Sequence, residues 1–232
     1  MSEALEKVRG IRQIPLFPLP LVLLPDEVLP LHVFEPRYRQ MLKDIELRRN
    51  YFGVNYFDPE KSFGEKPSAG SIGCVAEVRQ SQLLPDGRSN IVTAGVVRYR
   101  LLDYTDTGTP YLTASVEFFE DEPVNEGSVK PAADDVYELF ERVAKAAFQL
   151  SGGRGRFPEI PKTDPEQLSF LVTAAFNLDN EIKYQMLELT STLERLERVR
   201  EILMQTVDKM EESAETQKVA QSNGHSKKKI DI

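Results

Sequence analysis

The chain has 232 residues, 41% hydrophobic and 28% charged, with a formal net charge of −8 and a pI near 5.0. That balance excludes an intrinsically disordered chain and disfavours a general phosphate-backbone binder. One cysteine, Cys74, excludes a disulfide framework and a zinc site built on several thiolates, and two distant histidines, His32 and His225, argue against a His-rich metal centre. No cofactor is expected.

Residues 1–13 read as a polar lead-in. They carry Glu3, Glu6, Lys7 and Arg9 where a secretory signal would carry an apolar run. The apolar run 21–24 is far too short for a membrane span, so no membrane partner is expected and cytoplasm is the default location. Prolines 15, 18, 20, 25 and 30 forbid a helix over 14–33 but allow edge strands, expected near 14–17 and 28–32 with a turn at Pro25-Asp26-Glu27. Glu35-Pro36 then opens a helix over about 36–48, with Glu35 near the free N–H groups and Tyr38, Met41, Leu42 and Ile45 at helical spacing. Arg37, Arg39, Lys43, Arg48 and Arg49 gather there; a solvated helix face is the simpler reading, an anion site the sharper one.

Residues 51–119 read as β structure: a strand at 51–57, a polar loop over 58–70, alternation through Ile72, Cys74, Ala76 and Val78, a turn at Leu84-Pro85-Asp86-Gly87-Arg88, and strands over 90–100 and 111–119. Strands at such spacing with one helix suggest a small barrel or sandwich. The pattern then changes. Residues 121–131 are expected to be an acidic linker, and the helical period governs 132–210. There Val136, Leu139, Phe140, Val143, Ala147 and Leu150 form one stripe, stopped by Ser151-Gly152-Gly153. Asp164-Pro165, Asp179 and the Ser191/Glu194 capping box each start a further helix. Residues 211–232 are expected to be a disordered tail.

No catalytic constellation is present: the sequence has no GxxxxGK[ST], HExxH, CxxC or GxSxG. The run Gly152-Gly153-Arg154-Gly155-Arg156 reads as a helix stop and loop, with a weak single-strand RNA contact as the sharper alternative. A Cys74–His32 thiol–imidazole pair is conceivable chemically, but Cys74 sits on an apolar strand face where a thiol is inert. Lys227-Lys228-Lys229 reads as a solubilising tail.

The segments Ile14-Pro15-Leu16-Phe17-Pro18-Leu19 and Leu29-Pro30-Leu31-His32-Val33-Phe34-Glu35-Pro36-Arg37-Tyr38 resemble the opening of the Lon protease N-terminal domain. The resemblance continues through Gly73-Cys74-Val75-Ala76-Glu77-Val78, Leu84-Pro85-Asp86-Gly87-Arg88 and Gly95-Val96-Val97-Arg98-Tyr99-Arg100, and covers about residues 11–208. It implies an α+β fold: a PUA-like β pseudo-barrel over 14–120 with one inserted helix, followed by an α-helical bundle. It also implies the recognition of unfolded or exposed protein segments, as an adaptor to an ATP-dependent protease or as a holdase in protein quality control. Phe34, Glu35, Arg37 and Tyr38 mark the matched motif and are the expected peptide- or partner-binding residues. Lon continues into an ATPase with a phosphate loop and a protease with a Ser-Lys dyad; neither motif occurs before Ile232, so the expectation is a non-enzyme. The alternatives are an RNA-binding PUA-like module, resting on fold analogy and opposed by the negative charge, and residual peptidase activity. The exposed face of the last helix, with Arg195, Arg198 and Glu201, is a candidate surface for partners or self-association.

Overall fold

The computed structural model describes residues 2–60, 64–152, 157, 159–160 and 162–223. The glycine–arginine run at 153–156, with its Arg154 and Arg156, and the lysine run at 227–229 lie outside the described residues. The chain divides into two compact units. The first comprises residues 1–122 and 173–190, and the second 123–172 and 191–232.

In the first unit the strands are β1 (Gln13–Leu19), β2 (Val28–Val33), β3 (Tyr51–Tyr56), β4 (Ile72–Leu83), β5 (Ser89–Tyr104) and β6 (Thr113–Phe119). They form one sheet in the order β2-β5-β4-β3-β1-β6, and a further β5–β6 pairing closes β5-β4-β3-β1-β6 into a ring with β2 outside it. The long β5 makes this possible. Its residues from Ser89 to Ala94 pair with β2, while those from Arg98 to Tyr104 pair with β6. Register shifts in β4–β5 and β5–β6 bend the strands where they leave one neighbour for another.

Proline was expected to confine 14–17 to an edge. Instead β1 lies inside the ring, and the reason is its division of partners. Gln13, Ile14 and Pro15 pair with β6 and the residues from Leu16 to Leu19 with β3. Each half therefore leaves one side of the ladder unused, where a proline without N–H costs nothing. The 24–27 turn docks on β5 through Asp26 N–H to the Gly95 carbonyl at 3.1 Å and Gly95 N–H to the Glu27 carbonyl at 2.9 Å. A Cβ on Gly95 would sit 2.1 Å from the Leu24 oxygen.

The expected lead-in holds a short helix, α1 (Glu3–Lys7), capped by the Ser2 side chain. Val8 after it is buried with Ile14, Leu16, Val75, Tyr99, Leu101 and Val116 in the barrel core. The inserted helix α2 (Pro36–Glu46) starts as expected and packs through Tyr38, Met41 and Ile45. Ile72, Cys74 and Ala76 are buried as predicted, and so are Gly73 and Val75 between them, because β4 is covered on both faces at that level.

The expected linker at 121–131 is half helix: α3 (Glu126–Leu150) begins inside it, capped by Asn125, and carries Pro131 near its start. The helical region is not one body either. α5 (Asn180–Glu188) belongs to the first unit. There the Ile72 N–H donates to the Tyr184 hydroxyl at 3.0 Å and Asn180 Nδ2 to the Pro20 carbonyl at 2.9 Å. Arg98, 1% exposed, donates to the carbonyls of Leu187 and Leu189 and pairs with Asp121.

In the second unit α3 and α6 (Thr192–Asn223) lie side by side in the same direction, with Asp135 paired to Arg200 and Arg142 to Glu211. The stripe Val129, Val136 and Val143 is buried, as are Leu196, Val199, Leu203 and Val207. Asp164 caps α4 (Pro165–Ala175) by accepting from Gln167 N–H, and Ser191 caps α6 by accepting from Glu194 N–H. Asp179 stands at the α5 N-cap without a side-chain cap bond. α6 runs on to Asn223, where a disordered tail was expected from 211.

Candidate protein-binding edge

β2 pairs with β5 in the register Val28↔Ala94, Pro30↔Val92 and His32↔Asn90, and stands at the end of the strand order. Its side chains alternate. Leu29 and Leu31 are half-buried and Val33 is buried, while Val28, Pro30 and His32 are exposed on the other face. Phe34 follows with the same period. Val28 is 64% and Phe34 60% exposed, high values for large apolar side chains. Across β5, Gln80 and Gln82 of β4 stand opposite Val92 and Asn90. The middle of the row, Pro30 and His32, is thus flanked by amides at a shallow depression of about 480 Å³.

His32 is held in place on this face. Its Nδ1 lies 2.7 Å from Asn90 Oδ1 and its Nε2 3.4 Å from Arg88 Nη1. With the amide oxygen accepting from Nδ1–H, Nε2 is the acceptor facing the guanidinium. The imidazole is roughly parallel to the Phe34 ring, at 6.2 Å between centroids. The pinned ring beside the exposed phenyl continues the outward row from Val28 and Pro30 to Phe34.

The four residues expected to bind a partner divide into three roles. Phe34 alone offers apolar surface. Glu35 stands at the α2 N-cap, but its carboxylate turns away from the helix N–H groups and accepts from Arg37 Nε at 2.9 Å and Nη2 at 2.8 Å. The Arg37 guanidinium in turn lies 4.6 Å above the Tyr38 ring. Tyr38 is 4% exposed and stacks on Phe17 at 3.9 Å, and burial raises its hydroxyl above the ordinary tyrosine range. Tyr38 is therefore an anchor for the start of α2, Glu35 and Arg37 a charge pair beside it, and Phe34 an exposed apolar side chain. Val28, outside the four expected residues, shares the exposed face of Phe34, as alternation read through 28–34 places it.

The cationic cluster of α2 divides: Arg48 and Arg49 line one cavity together, and the other three lie apart from it. Arg37 is taken by Glu35, Arg39 and Lys43 line the groove between α2 and the β4–β5 hairpin, and Arg49 donates to the carbonyls of Lys7 and Arg9. Cys74 and His32 do not form a reactive pair. Cys74 is fully buried, and burial pushes its thiol from near 9 up to about 12, whereas His32 is exposed and bonded to Asn90. Among the described residues no group of three or more His, Cys, Asp or Glu could hold a metal ion, and no helix is long and apolar enough to cross a membrane.

A family model described as the ATP-dependent protease La (LON) substrate-binding domain matches residues 13–205. Lon protease 1 of Thermus thermophilus is 29% identical over 175 residues, which are 75% of this chain and 22% of the relative. Lon protease 2 of Bdellovibrio bacteriovorus is 26% identical over 216 residues, 89% of this chain and 26% of the relative. The chain thus spans about a quarter or less of these proteases. Among solved structures, a Lon N-terminal domain protein from Xanthomonas campestris superposes with a TM-score of 0.57 at 20% identity, covering 82% of this chain and 97% of that one. The N-terminal domain of the Mycobacterium avium complex Lon protease gives 0.61 at 17%, covering 83% and 98%. At these identities the likeness shows the fold.

Proposed function

The chain belongs to the Lon substrate-binding domain family, and on that premise we propose that it is a non-catalytic module that takes extended, exposed segments of other proteins along β2. The observation that carries this reading is the edge strand itself. β2 has a strand neighbour on one side, and its outward face presents Val28, Pro30, His32 and then Phe34. An extended segment added beside β2 gains main-chain hydrogen bonds, and its alternate side chains meet the apolar row. Pro30 lacks an N–H, so the added ladder is interrupted once and the edge is less prone to pair with copies of itself. Such a contact is small and amide-rimmed, which favours affinities of tens of micromolar and fast release. That suits sampling of unfolded chains, as a holdase or as an adaptor that passes them to an ATP-dependent protease. Catalysis of peptide hydrolysis is not part of this proposal, because the one thiol is buried and held protonated.

Titration with a fluorescent, permanently unfolded model polypeptide tests it. Saturable binding at tens of micromolar, of the order such contacts give, together with suppressed aggregation of a heated client, is expected. No binding and no protection would contradict it. Incubation with casein, with and without ATP, is expected to leave casein intact. Affinity capture of the tagged chain separates the two roles, since an adaptor brings down an ATPase-protease and a holdase a spread of misfolded clients.

A further inference from the structure

A second feature of the first unit shares no residue with the edge strand. α2 ends at Glu46, and Asn50, in the left-handed region with φ 56°, closes it by donating its N–H to the Ile45 carbonyl at 3.1 Å. This turn brings Arg48 and Arg49 to the start of β1, where Arg12 stands just before the strand. Between them lies a cavity of about 310 Å³, at the lower end of the range for small-ligand sites. Its accessible apolar lining comes from half-buried Ile11 and the half-buried Tyr51 and Tyr111 rings, with Ile14 and Ile45 buried beneath.

The charged lining is three guanidinium groups and one carboxylate, beside the Gln13 amide, whose Nε2 donates to Thr105 Oγ1 at 3.3 Å. The carboxylate, Asp44, is already satisfied: Gln40 Nε2 donates to Oδ1 and the Tyr111 hydroxyl to Oδ2, both at 2.8 Å. Arg49 is committed to the carbonyls of Lys7 and Arg9. Arg12 and Arg48 have no side-chain hydrogen bond or ion pair among the described residues, and both are exposed at the cavity wall. The cavity therefore carries an excess of two positive charges on a protein of net charge −8, with two planar donor forks unspent.

We infer that this cavity binds a carboxylate-bearing ligand of about one amino-acid residue with an apolar side chain, its carboxylate taken by Arg12 and Arg48 and its side chain laid on Ile11 and the Tyr51 and Tyr111 rings. Guanidinium matches carboxylate and phosphate alike. The apolar floor distinguishes them, because an inorganic anion leaves it wet whereas an apolar side chain covers it. Two sources supply this chemistry, the free C-terminus of a polypeptide and a free N-acylated amino acid.

The test is calorimetric titration of the intact chain with a hexapeptide ending in Leu as the free acid, the same peptide amidated, N-acetyl-leucine and inorganic phosphate. The free-acid peptide is expected to bind at least about tenfold more tightly than the amide, the scale of one lost charge-assisted bond. Arg12→Ala and Arg48→Ala are each expected to remove that preference. Lys43→Ala, which takes a charge from another face of α2, keeps it. Equal binding of N-acetyl-leucine and the peptide assigns the site to free acids, and markedly tighter peptide binding assigns it to chain termini. Equal affinity for acid and amide, phosphate as good as the acid, no binding of either acid, or wild-type preference in both arginine variants would overturn the inference. Circular dichroism of each variant shows that a lost preference is not lost fold.

Discussion

Tyr99 lies across the barrel interior where two glycines leave room for it. A Cβ on Gly53 would stand 2.3 Å from the Tyr99 hydroxyl, and one on Gly73 2.5 Å from its ring. The hydroxyl donates to buried Asn55, whose Nδ2 donates to Ser71 Oγ at 3.3 Å. Gly53→Ala or Gly73→Ala is expected to cost about 1–3 kcal/mol by forcing the ring aside, read as a lower urea midpoint with unchanged slope. Cys74 and Tyr99 also fix the response to alkali. Burial holds the Cys74 thiol up at about 12 against an ordinary value near 9, and raises Tyr99 well above 10. From about pH 9 upward the unfolded chain binds fewer protons than the folded one, so stability is complete below pH 9 and falls as pH rises towards 12. Thermal unfolding is expected to shift down between about pH 8 and about pH 11, and Cys74→Ala to flatten the early part of that fall. Burial of Cys74 was legible from strand alternation. The Tyr99 arrangement was not, because it depends on glycines of two strands meeting one ring from a third.

Among the elements, β2 carries the proposed binding edge and α5 joins the barrel unit. The edge position of β2 agrees with Pro30, whose missing N–H an edge strand tolerates. The same reasoning failed for β1, since a strand that divides its length between two partners satisfies proline locally while lying inside the ring. Helical periodicity found α3 to α6 but said nothing of which body each joins. α5 is bound to the barrel unit by Arg98, whose partners Leu187, Leu189 and Asp121 are distant in sequence and carry no signature. Arg98→Ala leaves the buried Asp121 carboxylate without its guanidinium and is expected to cost about 3–5 kcal/mol, measured by chemical denaturation. A substitution of Phe34 or Val28 by Asp removes exposed apolar surface alone. It is expected to leave stability within about 0.5 kcal/mol while weakening binding of unfolded polypeptide several-fold.

For the whole molecule, the chain is one Lon-type substrate-binding domain made of two units, and the division does not follow the sequence. The resemblance carried by the quoted segments placed the family and implied the α+β class. The boundary at 120 was legible as a change of hydrophobic period, but the return of residues 173–190 to the first unit was not, because periodicity is local and this packing is not. The Phe34–Tyr38 motif adjoins the end of β2, and the exposed apolar face runs backwards from Phe34 to Val28 and leaves out buried Tyr38. Amide hydrogen exchange of the intact chain, with and without saturating unfolded polypeptide, tests the central claim most directly. Slowed exchange concentrated in β2, from Val28 to Val33, and lost with Phe34→Asp is the predicted result. Unchanged β2 amides while the polypeptide is bound, or protection confined to other strands or to the helices, would contradict it.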